Sequence, residues 1–461
     1  MNNANAPGKK ARSRRLKRSK TTQSTPSIRP HAAGIDVGAT ELYVAVPVDS
    51  DPMPVRTFPT FTEDLHALAD WLQACRIQTV ALESTGVYWI PIYQILERRG
   101  IEVCLVNARH VKNAPGRKTD VSDCQWLQYL HSVGLLRASF RPPEQVCAIR
   151  SLWRERDTLV SDAARKVQHM QKALFQMNIQ LSNVISDITG KTGLLIIDAV
   201  LAGERDPNVL AKLRDFRIKA DQRTVAKSLC GDWREEHLFS LKIARDIYGY
   251  YKCKILECDS KIAETLRLLE SKVDPVAEPL PPKTSSHVKA QRNEVSFDLR
   301  HELYRIFGVD LTQVPGLQST IVSVFLSEVG PSVERFGNVK QFASWLGLCP
   351  DNRITGGRIL SAATRDVKSR LAYALRMGAQ TLYRSQTALG DYFRRMRARL
   401  GAPEAITAAA HKLARILYHL VKNRCSYDGS VFASEEEIHR KRRQKSLQKQ
   451  AAHLGMQLIP I

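Results

Sequence analysis

GIDVGATELYVAV (residues 34–46), VALESTGVYW (80–89), IEVCLVN (101–107) and KTDVSDCQW (118–126) follow one another in the first third of the chain, and their order decides the fold class. In the first run Ile35, Val37, Leu42, Val44 and Val46 predict two successive strands or one bent hairpin. The break falls near Gly38-Ala39, where glycine permits a tight turn. Arg56 to Phe61 adds a third short strand. Thr62-Glu63-Asp64 opens a helix with Leu65, Leu68, Trp71 and Leu72 on one side. Ile77 to Leu82 reads as a buried strand, Tyr88 to Glu97 as a helix stopped by Arg98-Arg99-Gly100, and Ile101 to Val106 as another buried strand. Strands first, then strand, helix and strand, predict an α/β fold: a mixed sheet with helices on its faces.

Four acids lie inside this region: Asp36, Glu83, Asp120 and Asp123. The first two sit at or beside the end of a hydrophobic run, where a charge is costly unless paired or bound to metal. The last two are three apart and share a face if helical. Carboxylate oxygens suit Mg²⁺ or Mn²⁺, which keep places for water and phosphate and can assist phosphodiester cleavage. Each acid singly also has a structural account. Asp36 can end a strand, Glu83 can cap the next helix, and Asp120 can cap the helix that Asp123 continues, as can Thr119 or Ser122. On chemistry alone the metal nuclease and the structural account both stand.

The chain has 461 residues, with 69 Lys and Arg against 46 Asp and Glu and a formal net charge of +23. That balance favours a polyanionic partner and says nothing about fold. No apolar run is long enough to span a bilayer, and the basic N-terminus lacks the apolar segment of a secretory signal. The nine cysteines are scattered with no Cys-x-x-Cys pair. They predict neither a zinc knuckle nor a disulfide framework, and most are expected to be buried small hydrophobes.

Residues 1–30 read as a disordered basic tail. KKARSRRLKRSK (9–20) places Lys9, Lys10, Arg12, Arg14 and Arg15 as phosphate contacts or as a solubilising cluster. Residues 31–143 form the α/β domain, with Arg117 and Lys118 either meeting phosphate or balancing the acids beside them. Residues 144–300 predict a helical arm and a Pro-rich linker: a long helix from Gln145 to about Asn178, a second from Tyr248 to Leu269, short helices between them including EEHLFSLKIARDIYG, and a break at VAEPLPPKTSS (276–286). Residues 301–430 are mainly helical, and 431–461 form a charged tail. VPGLQST (314–320) has the pattern of a helix-hairpin-helix turn whose backbone N–H groups hold phosphate. Thr355-Gly356-Gly357 reads as a flexible loop carrying a hydroxyl, followed by the cations Arg358, Arg365, Lys368 and Arg370. A hydroxyl beside fixed cations can serve as a nucleophile toward phosphorus, but on chemistry alone a plain glycine turn beside a basic helix is the better account.

GIDVGA (34–39), ALESTGVYW (81–89), VNARHVKNAPGRKTDVSDCQWLQ (106–128), VPGLQST, FASWLGLCPDNRITGG (342–357) and HKLARILYHLVK (411–422) together resemble the transposases of the IS110/IS1111 type, the DEDD recombinases of bacterial insertion sequences. The resemblance implies a RuvC-like ribonuclease-H fold over 31–143, a helical arm and a mainly helical C-terminal transposase domain. It implies that Asp36, Glu83, Asp120 and Asp123 are the catalytic acids and hold Mg²⁺ (or Mn²⁺). It implies an RNA-guided recombinase that cleaves strands, captures them on a hydroxyl and exchanges them. The partners implied are an element-encoded structured guide RNA, donor and target DNA, and copies of the chain itself, as a dimer assembling to a tetramer. No membrane is implied, and the location is the cytoplasm and nucleoid of a bacterium.

Three departures stand out. The family's Ser-Gly dipeptide falls on Thr355-Gly356, leaving Thr355 as the nucleophile, or Ser361, which follows Ile359-Leu360 in what reads as a packed segment. The basic N-terminal extension is not part of the family core, and the segment between the domains is long. Two other readings stay open: a junction nuclease with no covalent intermediate, and a non-enzymatic nucleic-acid-binding protein with a decayed nuclease core.

Overall fold

A computed structural model describes residues 27–84, 86–107, 123–274, 276–280, 282 and 293–457. The chain divides into two compact units, Met1–Arg141 and Pro142–Ile461.

The first unit is a five-stranded mixed sheet in the order β3-β2-β1-β4-β5. Strands β1 (Ala32–Val37), β2 (Glu41–Ala45) and β3 (Val55–Pro59) form an antiparallel meander. Strands β4 (Thr79–Glu83) and β5 (Glu102–Val106) extend it in parallel from β1. The alternation of the sequence sorts side chains to two faces. Ile35, Val37, Leu42, Val44, Val80 and Leu82 join one core with Leu65, Leu68, Trp71 and Leu72 of α1 (Thr62–Ala74) and with Ile92 and Leu96 of α2 (Trp89–Arg98). On the other face Ala81, Cys104 and Val106 pack under Trp126, Leu127 and Leu130 of α3 (Asp123–Ser132). The expected mixed sheet with flanking helices is the observed one.

The second unit begins with two long helices, α4 (Glu144–Gln176) and α9 (Glu235–Arg267), packed antiparallel. Between them α5 (Leu181–Val184), α6 (Lys191–Leu201), α7 (Pro207–Ala211) and α8 (Gln222–Ser228) close the tip over their own core, including Leu174, Ile196, Ile197, Leu210, Val225 and Leu241. One expectation is corrected here: EEHLFSLKIARDIYG is not a separate short helix. Leu238, Leu241 and Ala244 continue the buried stripe that Ile255, Ile262 and Leu266 carry on, so α9 runs unbroken from Glu235.

Helices α10 (Leu299–Phe307), α11 (Ser319–Val329), α12 (Val339–Trp345), α13 (Arg370–Thr381), α14 (Ala388–Leu400) and α15 (Ala402–Asn423) build the rest around a run of aromatic rings. Phe307, Phe325, Phe342 and Trp345 follow one another at centroid spacings of 5.5–6.2 Å. The Tyr418 hydroxyl donates to the Phe336 carbonyl at 2.9 Å. Gly316, in the VPGLQST turn, has a φ of +90° and packs on α13: a Cβ added there would lie 3.0 Å from the Gly378 carbonyl oxygen. The charged stretch from Glu435 onward lies within a helix, α16 (Ser430–His453). The Pro-rich break at 276–286 is described only in part.

All nine cysteines are free, and only four are buried: Cys75, Cys104, Cys124 and Cys258. The expectation that most would be core residues fails because Cys147, Cys349 and Cys425 are only half-buried and Cys230 and Cys253 occupy solvent-facing positions. Among the described residues no helix is long and apolar enough to cross a membrane.

Candidate active site

The register of β1 and β4 places two of the four acids. Ile35 pairs with Leu82, so Asp36 and Glu83 stand one step beyond, side by side on the same face at the carboxyl end of the parallel pair. Ligands of open α/β sheets collect at such ends. The face they share is the one that α3 covers, and Asp123 lies in the first turn of that helix. Asp36 is half-buried, and its carboxyl is held above the ordinary carboxylate range, first by burial and next by the negative charge of Asp123, against a hydrogen bond from the Val37 backbone. The structure thus brings Asp36 into electrostatic contact with Asp123 and sets Glu83 beside it.

Gly34 makes this approach possible. A Cβ built there would fall 2.3 Å from the Gln128 nitrogen and 2.4 Å from the Cys124 oxygen, both backbone atoms of α3. Any side chain would therefore lift the helix that carries Asp123. The sequence reading passed over Gly34; its signal is a glycine inside a strand, which marks close backbone approach.

His131, also missed, anchors the other end of α3. Its ring is buried. Arg29 Nη1 lies 3.1 Å from Nδ1 and Thr79 Oγ1 lies 2.9 Å from Nε2. Arginine can only donate, so Nδ1 accepts, and Nε2 carries the proton and donates to Thr79. Burial, followed by the Arg29 charge, pushes the imidazole down from 6.5 to about 4. The signal was available as the helical spacing of Leu127, Leu130 and His131, which puts the histidine on the buried face.

Asp120, Arg117 and Lys118 lie outside the described residues, as do Thr119, Ser122 and the cluster containing Lys9, Lys10, Arg12, Arg14 and Arg15. Among the described residues no three His, Cys, Asp or Glu side chains close to metal-binding distance. The donors that are described fit a hard divalent cation nonetheless: they are carboxylate oxygens, and Asp36 is raised first by burial and then by the Asp123 charge, both of which a bound cation would offset.

In the second unit the glycine pair is not a flexible loop. β6 (Arg353–Thr355) and β7 (Arg358–Ser361) form a hairpin. Gly356 and Gly357 have φ of +53° and +76°, the left-handed pair that a two-residue type I′ turn requires. Thr355 pairs directly with Arg358, so hydroxyl and guanidinium share one face. Arg353 pairs with Ser361 across a bulge and belongs to that same face. Ser361 is half-buried, and its hydroxyl accepts from the Ala363 nitrogen at 3.3 Å. The packed segment expected around it is absent: Ile359 and Leu360 are 60% and 69% exposed. The remaining cations differ in their engagement. Arg365 donates to the Ser344 carbonyl and hydroxyl, Arg370 pairs with Asp157 at 3.0 Å, and Lys368 is exposed.

Residues 33–179 match the family model DEDD_Tnp_IS110, described as a transposase, and residues 310–394 match the model of the transposase IS116/IS110/IS902 family. No curated protein matches the chain. The first segment contains all four acids, and the second contains both Thr355 and Ser361. With both segments in this order on one chain, the protein has the domain architecture of the IS110-family DEDD transposases, which recombine the DNA of insertion-sequence mobile elements.

Proposed function

We propose that the chain is an RNA-guided DNA recombinase that cuts, holds and rejoins strands at the ends and target of its element. The observation that carries this is the acid group: Asp36 partly buried, biased by Asp123, with Glu83 in the neighbouring register position. Asp36, Glu83 and Asp123, joined by Asp120, would hold Mg²⁺ or Mn²⁺. Bound there, the cation would supply charge stabilisation at the scissile phosphate and help acidify the attacking hydroxyl.

The hydroxyl is that of Thr355. It attacks phosphorus, gives up its proton and forms a phosphothreonine ester, while the released deoxyribose oxygen takes up a proton. Arg358, opposite Thr355 in the hairpin, neutralises the phosphate as charge develops. Attack by a deoxyribose hydroxyl of the second DNA on that ester reverses the step and completes the exchange. Pairing with a structured RNA selects the two DNAs. The formal charge of +23 suits a chain that holds RNA and DNA together.

A junction nuclease with no covalent step is the competing reading. It is favoured by one feature: among the described residues no His, Asp or Glu side chain is hydrogen-bonded to the Thr355 hydroxyl. One experiment separates the two. Protein, element RNA and two DNA sites are mixed in Mg²⁺, denatured, and the adduct is mapped by mass spectrometry. A phosphothreonine at 355 supports the proposal, Thr355→Ser keeps the adduct, and Thr355→Ala abolishes it. Asp36→Asn, Glu83→Gln and Asp123→Asn should each lose cleavage and keep RNA binding. An adduct on Ser361 moves the nucleophile; cleavage with no adduct establishes the nuclease.

A further inference from the structure

Apart from the acids and the hairpin, a cleft of about 870 Å³ opens along the second half of α15. The helix buries Leu413, Ala414 and Leu417 and turns a different stripe toward the cleft. His411, Arg415, His419 and Lys422 follow at intervals of four, four and three, so they line one face over three turns. Two tyrosines complete the walls: Tyr392 from α14, and Tyr427 from the segment leading into α16. Lys412 Nζ sits 4.4 Å from the centre of the Tyr392 ring, a cation–π contact that holds the ammonium at the rim.

The charge of the cleft is one-sided. Lys412, Arg415 and Lys422 are permanent cations, and among its described lining Asp428 is the only carboxylate. Asp428 is committed elsewhere, accepting from the Ser430 nitrogen at 2.8 Å at the start of α16. His411 is kept neutral by burial and by the Arg415 charge, so its ring can both donate and accept a hydrogen bond at neutral pH. A ligand matching this lining carries negative charge and a flat π face. An acidic peptide has the charge without the face. A duplex has both, but its bases are stacked inside and do not enter a concave cleft.

We infer that this cleft binds an unpaired nucleotide of a single strand, its phosphate on Arg415 and Lys422 and its base against the Tyr427 ring. The inference rests on the reading of the chain as a nucleic-acid enzyme and adds a site to it. Aromatic stacking tolerates any base, and cations along the helix track the backbone, so the site holds a strand without reading its sequence. RNA and DNA strands share this chemistry.

The test uses the full chain and labelled strands of about 12 nucleotides, RNA and DNA of the same sequence, with a duplex as comparison. Arg415→Gln changes an exposed helix position and leaves the fold intact. Tyr427→Leu keeps apolar volume and removes the ring, and a thermal melt checks that it folds. Each should weaken single-strand binding roughly tenfold while duplex binding stays near that of the parent. A 5-bromouracil strand should crosslink at Tyr427. Loss confined to RNA, or to DNA, identifies which strand occupies the cleft. Equal single-strand binding by parent and both variants overturns the cleft and leaves the recombinase reading standing. Failure of the parent to bind any nucleic acid overturns both. Equal loss on the duplex overturns the single-strand assignment. Polyglutamate that displaces the strand and binds Tyr427→Leu undiminished marks an acidic protein as the occupant, which also overturns it.

Discussion

Gly34 and His131 control α3 from its two ends. Gly34→Ala places a methyl group into backbone atoms at 2.3 and 2.4 Å, which cannot rotate away as a side chain would. Overpacking of this kind costs at least about 1–3 kcal/mol, and the helix must lift to relieve it. The expected result is a lower melting temperature together with loss of strand cleavage, because Asp123 moves with the helix. An active Gly34→Ala protein of parental stability would show that α3 is not seated as described. His131 makes the fold sensitive to acid. Its pKa is about 4 when folded, below the ordinary 6.5, so between those values the unfolded chain binds the proton and the folded one does not. The contribution is therefore complete above pH 6.5 and declines as pH falls toward 4, by about 3 kcal/mol at most. Asp36 shifts in the opposite direction, so the informative quantity is the difference between parent and His131→Gln. Urea midpoints at pH 7.5 and pH 5 should fall further for the parent than for the variant.

The two long helices of the arm share one buried ion pair. Arg156 of α4 and Asp259 of α9 are both buried and hydrogen-bonded to each other. Arg156 also donates to the Asn293 carbonyl at 3.1 Å, and Asp259 accepts from the Ser296 nitrogen at 3.0 Å. The pair thus ties both helices to the chain where it re-enters after the Pro-rich break. Arg156→Met leaves Asp259 buried without its counter-charge, which costs about 3–5 kcal/mol. Adding Asp259→Leu removes the orphaned charge and should recover most of the loss, a coupling that a double-mutant cycle on denaturant midpoints measures. Independent, additive losses would mean the pair does not act as a unit. The hairpin β6–β7 is the contrasting element: a short two-stranded ribbon with Ile354 and Ile359 exposed on the face opposite Thr355. Its geometry is set by two left-handed glycines and not by a core.

At the scale of the whole molecule, charge governs what the protein binds. A net +23 spread over both units predicts affinity for nucleic acid that falls steeply with salt. The eight Lys and Arg of KKARSRRLKRSK (9–20) form the densest cluster near the N-terminus. Deleting residues 9–20 should weaken duplex binding and flatten the slope of log K against log salt, by about 0.9 for each phosphate that the segment neutralises. Preference among sequences should not change, because phosphate contacts carry no base information. A filter-binding salt series checks it, and an unchanged slope would reduce the cluster to a solubilising tail.

The sequence by itself determined the alternation that makes the sheet, the apolar face of α1, the presence of α2, the placing of Asp36 and Glu83 at strand ends, and the glycine pair beside Thr355. All of these are written within a few residues, in the periods of strand and helix and in the φ preferences of glycine. Only the tertiary structure decided that Gly34 is the seat of α3, that His131 is enclosed by Arg29 and Thr79, and that Arg156 meets Asp259 more than a hundred residues away. It also decided that α9 is one helix and that Tyr392, Arg415 and Tyr427 face one cleft. Such pairings depend on where the chain reverses and which faces then meet, and a local period carries no record of its distant partner.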